Sequence, residues 1–269
     1  MKNTLTFLLV FLGIQFAGGA IVQAIWKMVT GNADITAAML ITSTVVVSVI
    51  TIVVFLWARW AELSPNWMRT RPWLTLFWSS IAALGAIIPS IWLQEQMPEL
   101  PNYVSNEFDM ILANRWGYLT IGLLAPLAEE IVFRGAILRA LLRALQQQNT
   151  SSTRHSLLTP TTIAIVLSAL LFALIHLNPA QMPHAFVVGV LLGWMYWRTG
   201  SILPGVAYHW VNNSVAYVLY SIYPNPDIKL VDILQGSQHQ VLMAVGCSLL
   251  ILLPALYQLR VWMRRADEQ

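Results

Sequence analysis

Several stretches of about 20 residues in this chain carry no charge at all, the length a helix needs to cross a hydrocarbon core of roughly 30 Å. Inside a bilayer every backbone N–H and C=O must be satisfied within the protein, which leaves helices or a closed barrel. A barrel alternates apolar and polar residues, and these stretches do not. Only 10% of the residues are charged and 57% are hydrophobic, against about 25% charged in a soluble domain. The chain therefore reads as all-α, a polytopic transmembrane helix bundle. Eight spans are expected, at 5–26, 35–58, 73–93, 116–144, 161–177, 184–198, 202–223 and 241–260.

Basic residues orient such a bundle. With both termini in the cytoplasm, eleven Lys and Arg fall inside, among them Arg59, Arg69, Arg71, Arg139, Arg143, Arg198 and Arg260. Lys27, Arg115 and Lys229 fall outside. The expected topology is N-in and C-in, in the plasma (inner) membrane. The pI of about 9.2 follows from these helix-end cations, so it does not imply a nucleic-acid partner. Arg139 and Arg143 read as cations complementing the negative end of their helix. The first span holds Ala17-Gly18-Gly19-Ala20, which resembles a cleavage site, but its apolar run continues to Trp26, so an uncleaved helix is expected. The single Cys247 excludes an intramolecular disulfide and reads as a small packing residue.

Three regions follow: 1–110, with the first helices and an acidic outer loop from 94; 111–223, with the polar core; and 224–269, with an outer loop, the last span and a basic tail. No site is evident in the loop 94–115. The inner loop 146–160 is polar, and His155 in it reads as solvated. Spans 161–177 and 184–198 are short and joined by Asn178-Pro179-Ala180-Gln181-Met182-Pro183. This reads as a hairpin whose tip is sheltered by other helices or stops below the outer surface, since non-helical backbone at depth needs protein or a wet cavity beside it.

The fourth span contains Glu129-Glu130-Ile131-Val132-Phe133-Arg134. Charges at bilayer depth are costly and mark function. Glu130 and Arg134 are four apart and share one helix face, so they are expected to pair. Glu129 lies about 100° away; it lacks that counter-charge and is the candidate general base. Glu130 and Arg134 are its supports. Phe172-Ala173-Leu174-Ile175-His176 places an imidazole near the end of the fifth span, and His209 and Asn213 share a face at the start of the seventh. His184 and His239 read as bland.

Bundle cores build sites from side chains on facing helices. Glu129 and His176 suit activation of a water, and His209 and Asn213 suit donation to an oxyanion, a complete set for amide hydrolysis. No cofactor is required on that reading. The same residues also suit zinc, with two imidazoles, a carboxylate and an open position, although the His-Glu-x-x-His of zincins is absent. Proton relays use similar residues, so a proton-coupled transporter is an alternative, as is an inactive membrane scaffold.

The three motifs, Glu129-Glu130-x-x-x-Arg134, Phe172-x-x-x-His176 and His209-x-x-x-Asn213, together resemble the CPBP family. These are the CAAX-protease and bacteriocin-processing intramembrane peptidases, also called the Abi family, which include type II CAAX prenyl proteases. The resemblance covers roughly 116–223. It implies an endopeptidase acting on membrane-associated proteins or peptides, of CAAX type or bearing leader peptides, with the bilayer as its setting. It also implies that Glu129 activates water with His176, that Glu130 and Arg134 support it, and that His209 and Asn213 line the oxyanion site. Both metallo and glutamate mechanisms have been described for the family, and immunity-type members add to the scaffold alternative. His176 ends a span toward the outside while His209 begins one from the inside, so they meet only if the hairpin tip stays inside the membrane.

Overall fold

The computed structural model describes residues 2–62, 64–148, 159–225, 228–234 and 236–264. His155 and most of the inner loop lie outside the described residues. Among the described residues there are no strands, and each of the eight hydrophobic stretches forms a helix. These are α1 (2–30), α2 (Ala37–Trp57), α3 (Trp73–Glu95), α4 (118–148), α5 (Pro160–Leu174), α6 (Met182–Thr199), α7 (Leu203–Ile222) and α8 (Gln238–Trp262). Short helices Pro65–Arg69, Ser105–Leu112 and Leu230–Ile233 lie in the connections.

Local chemistry sets the ends. Thr36, Thr159 and Ser237 cap α2, α5 and α8 by accepting backbone N–H groups of Met39, Thr162 and Gln240. Gly31 and Gly200 end α1 and α6 with φ of 69° and 68°. Two boundaries differ from expectation in ways that matter. Helix α5 stops at Leu174, and Leu177 takes φ 50°, a left-handed conformation unfavourable for a leucine. His176 therefore sits in a turn and not on the helix. Helix α6 begins at Met182, with a proline in its first turn, so His184 belongs to its start.

Four helices, Asn3–Thr30 of α1 together with α2, α3 and α8, are long and apolar enough to cross a membrane. Between 11% and 28% of their most apolar windows is buried, so most of their side chains face outward, as lipid contact requires. Cys247 is on this outward face of α8 and does not pack inside as expected. The small residues Gly18 and Gly19 of α1 lie against α2: a β-carbon at Gly18 would be 3.2 Å from Val47 Cγ1. Close helix packing thus accounts for the small-residue stretch.

Helix α4 is the centre of the bundle. Residues 131–138 are all buried, and Ile131, Val132, Phe133, Ile137 and Leu138 share one core with Phe7 and Phe11 of α1, Phe55 of α2 and Phe172 of α5. A second core joins Ala82, Ala83 and Ala86 of α3, Val188, Leu192 and Met195 of α6, Tyr208 of α7 and Ala255 and Leu259 of α8. Helix α6 contributes to both, and so ties the two halves together. Thr75 donates to the Trp262 carbonyl at 3.2 Å, and Arg198 donates to the carbonyls of Arg260 and Met263, fixing the end of α8 against its neighbours.

The hairpin tip is closed by the outer loop. The Tyr103 N–H donates to Asn178 Oδ1 at 3.0 Å, Asn178 Nδ2 donates to Asn102 Oδ1 at 2.9 Å, and the Ala180 N–H donates to the Pro101 carbonyl at 3.2 Å. Asn178 is 0% exposed. The tip is sheltered by loop backbone and amides, where shelter by other helices was one of the two expectations.

Candidate active site

Helix α4 changes its winding on both sides of the glutamates. Tyr118–Leu124 and Ile131–Leu138 are wound as wide π turns, and the α-helical Ala125–Glu130 lies between them. Such turns leave backbone carbonyls open to other partners and recur at functional sites. Here the Ile121 carbonyl accepts from Asn213 Nδ2 on α7 at 3.0 Å.

Glu129 and Glu130 diverge as adjacent helical residues must. Glu130 is 0% exposed, whereas Glu129 is 21% exposed and lines a cavity of about 580 Å³. His176, His209 and Asn213 line the same cavity, so two helices, α4 and α7, and one turn bring the catalytic candidates together. The hairpin is what lets His176 reach His209. Phe172 lies between them, with its ring edge-on to both, centroids 5.1 Å from His176 and 6.0 Å from His209.

Behind the cavity lies the buried ion pair. Arg134 Nη1 donates to Glu130 Oε1 at 2.7 Å, and Nη2 donates to the Gly189 carbonyl of α6 at 3.3 Å. The Arg134 guanidinium also stacks over the Phe172 ring at 4.4 Å. One aromatic ring thus contacts the guanidinium and both imidazoles. A β-carbon at Gly205 of α7 would be 2.6 Å from Glu130 Oε2, so only glycine lets α7 approach this carboxylate. Among the described residues Glu130 Oε2 and Arg134 Nε find no hydrogen-bond partner.

Glu129 has an imidazole beside it: His209 Nε2 is 3.8 Å from Glu129 Oε2. On its other side His209 Nδ1 donates to Glu130 Oε1 at 3.4 Å. A carboxylate accepts only, so this contact puts a proton on Nδ1. His209 therefore bridges the two glutamates. His176 is fixed similarly: its Nδ1 lies 2.8 Å from the Phe172 carbonyl, another acceptor, which leaves Nε2 as the free ring nitrogen.

Among the polar residues of the cavity that carry no sequence signal of a site are His184, Asn102 and Asn212. His184, taken as bland, lines it from the first turn of α6. Asn102 lines it from the outer loop, where no site was expected. Asn212 lines it next to Asn213 and donates to Asn213 Oδ1 at 3.2 Å. Only the neighbouring proline and asparagine hinted at any of them. His239 is exposed at the start of α8, away from this set. Among the described residues no three His, Cys, Asp or Glu side chains are grouped so as to hold a metal ion.

Residues 111–215 match the family model described as type II CAAX prenyl endopeptidase Rce1-like. The matched stretch contains all three motifs and falls in the CAAX-protease family that they resemble. No curated protein and no solved structure matches the chain. The match and the apolar helices together support a membrane-embedded protease acting on membrane-associated peptides.

Proposed function

We propose, with the Rce1-like stretch 111–215 as premise, that this protein is an intramembrane endopeptidase that hydrolyses membrane-associated polypeptides with a glutamate-activated water. The observation that carries the reading is the convergence of Glu129, His176, His209 and Asn213 on one cavity, with a buried ion pair behind it.

Each residue has a task that its contacts suit. A water beside Glu129 gives its proton to the carboxylate as its oxygen attacks the scissile carbonyl. His176, with Nδ1–H held by the Phe172 carbonyl, offers Nε2 as an acceptor that orients the same water. The carbonyl oxygen becomes an oxyanion. His209, held on Glu130 through Nδ1, turns Nε2 toward it. Asn213 has one amide hydrogen on the Ile121 carbonyl and a second to give. Glu129 then passes its proton to the leaving nitrogen, the C–N bond breaks, and the products are a carboxylic acid and an amine. Glu130 and Arg134 touch no substrate; they position His209 and the helix.

The test is cleavage of a membrane-tethered peptide by purified protein. Glu129→Gln is expected to lower the rate by about 10²–10⁴-fold, the usual worth of a general base, while retaining wild-type thermal stability in detergent. Undiminished cleavage by Glu129→Gln would overturn the mechanism.

A further inference from the structure

A second cavity, of about 730 Å³, lies on the other half of α4, away from the glutamates. It is lined by the start of α1, the segment that follows α2 and residues 136–147 of α4. Three arginines line it, Arg59, Arg139 and Arg143, against a single carboxylate, Glu62. Glu62 is already taken, bonded to Arg139 Nη2 at 2.6 Å. Among the described residues no partner is found for the guanidinium groups of Arg59 and Arg143 or for the indole N–H of Trp60. Arg59 also has φ 57°, a left-handed backbone that arginine adopts at a cost and that is kept only where the surroundings impose it.

The apolar part of the cavity points to the kind of anion. Phe7 and Trp60 stack with centroids 5.0 Å apart and form one wall. Phe7 belongs to α1, whose outer face beside the cavity exposes Leu5 and Leu9 at 59% and 58%. An anion held by the arginines would therefore sit next to a surface suited to acyl chains. Arginine forks match phosphate oxygens geometrically. Basic pockets between transmembrane helices, on the side where Lys and Arg collect, are suited to anionic head groups.

We propose that this cavity binds the phosphate head group of an anionic phospholipid, with its acyl chains along α1. The inference does not depend on the catalytic reading and is tested without it. Purified protein is stripped of lipid and titrated in detergent with phosphatidylglycerol, phosphatidylcholine or glycerol phosphate, and bound lipid is counted by native mass spectrometry. Wild-type protein is expected to retain one phosphatidylglycerol in preference to phosphatidylcholine, with glycerol phosphate far weaker. Arg59→Gln and Arg143→Gln should each weaken binding roughly fivefold. The charge-conserving Arg59→Lys/Arg143→Lys pair should hold an intermediate affinity. Arg69→Gln, an exposed arginine outside the cavity, should change nothing. Both neutralising changes are at exposed positions, so unaltered melting will show that loss of binding is not loss of fold. Equal retention of phosphatidylcholine would overturn the proposal. So would unchanged binding in the double Gln variant, or glycerol phosphate competing as well as the lipid.

Discussion

Helices α1, α2, α3 and α8 differ from α4, α5, α6 and α7 in almost every respect. The first group is long and exposed along much of its length to where lipid would be, although α1 has a π turn of its own at Ile14–Gly18. Its sequence is nearly all aliphatic and aromatic because nothing else is stable there. The second group is shortened, loosened or bent. Helix α4 is wound as π turns around its glutamates, α5 has only 15 residues, and α7 carries His209 and Asn213 on one face. The buried Glu130, Arg134 and His209 all lie in this group. The contrast shows how a bundle can hold ionised chemistry at depth. One set of helices meets the membrane's demand for apolar surface, and that frees the other set to break the rules of a membrane helix.

Substitutions in the two groups should therefore differ in size. The largest effect is expected from Arg134→Met, which leaves Glu130 buried without its cation. Such a loss costs about 3–5 kcal/mol, and denaturant titration in micelles will measure it. Adding Glu130→Gln should recover much of that, because the uncompensated charge is then gone; no recovery would mean that the pair serves some purpose beyond mutual neutralisation. Gly205→Ala comes next. Its methyl would collide with Glu130 Oε2, and overpacking of this kind costs about 1–3 kcal/mol; a stability equal to wild type would show that α7 can shift. Phe172→Leu keeps the bulk but removes the ring under Arg134, a loss of about 0.5–2 kcal/mol, and cleavage should fall with it as His176 and His209 lose their shared neighbour. The smallest effect is expected in the outer group. Leu250→Ala on α8, at a position 75% exposed, should stay within about 0.5 kcal/mol. A large loss there would break the comparison, since it would reveal a partner on the lipid-facing frame.

The same division explains what could be read from the sequence. The apolar group announces itself, because twenty uncharged residues permit few structures. Glu129, Glu130 and Arg134 are visible for the converse reason, as charges where charge is costly, and spacing alone put Glu130 with Arg134. Convergence was harder. Nothing in the residues around His184 distinguishes an imidazole at the start of a helix from one inside a cavity, since the facing walls of that cavity come from α3, α4 and α7, far away in the chain. Asn102 was hidden because its loop has no periodicity to read. The π turns of α4 have no residue signature, and they open the Ile121 carbonyl that Asn213 uses. The bridging position of His209 depended on the close approach at Gly205, a contact between residues 75 apart in the chain.

The clasp between the hairpin and the outer loop has a mechanical meaning. Helix α5 is about 22 Å long, too short for its depth to be set by matching a hydrocarbon slab of roughly 30 Å. Its far end hangs instead from Pro101, Asn102 and Tyr103. His176 is two residues from Asn178, where that suspension is tied. Bilayer thickness therefore has little purchase on this histidine, and the segment Pro101, Asn102 and Tyr103 serves as its plumb line.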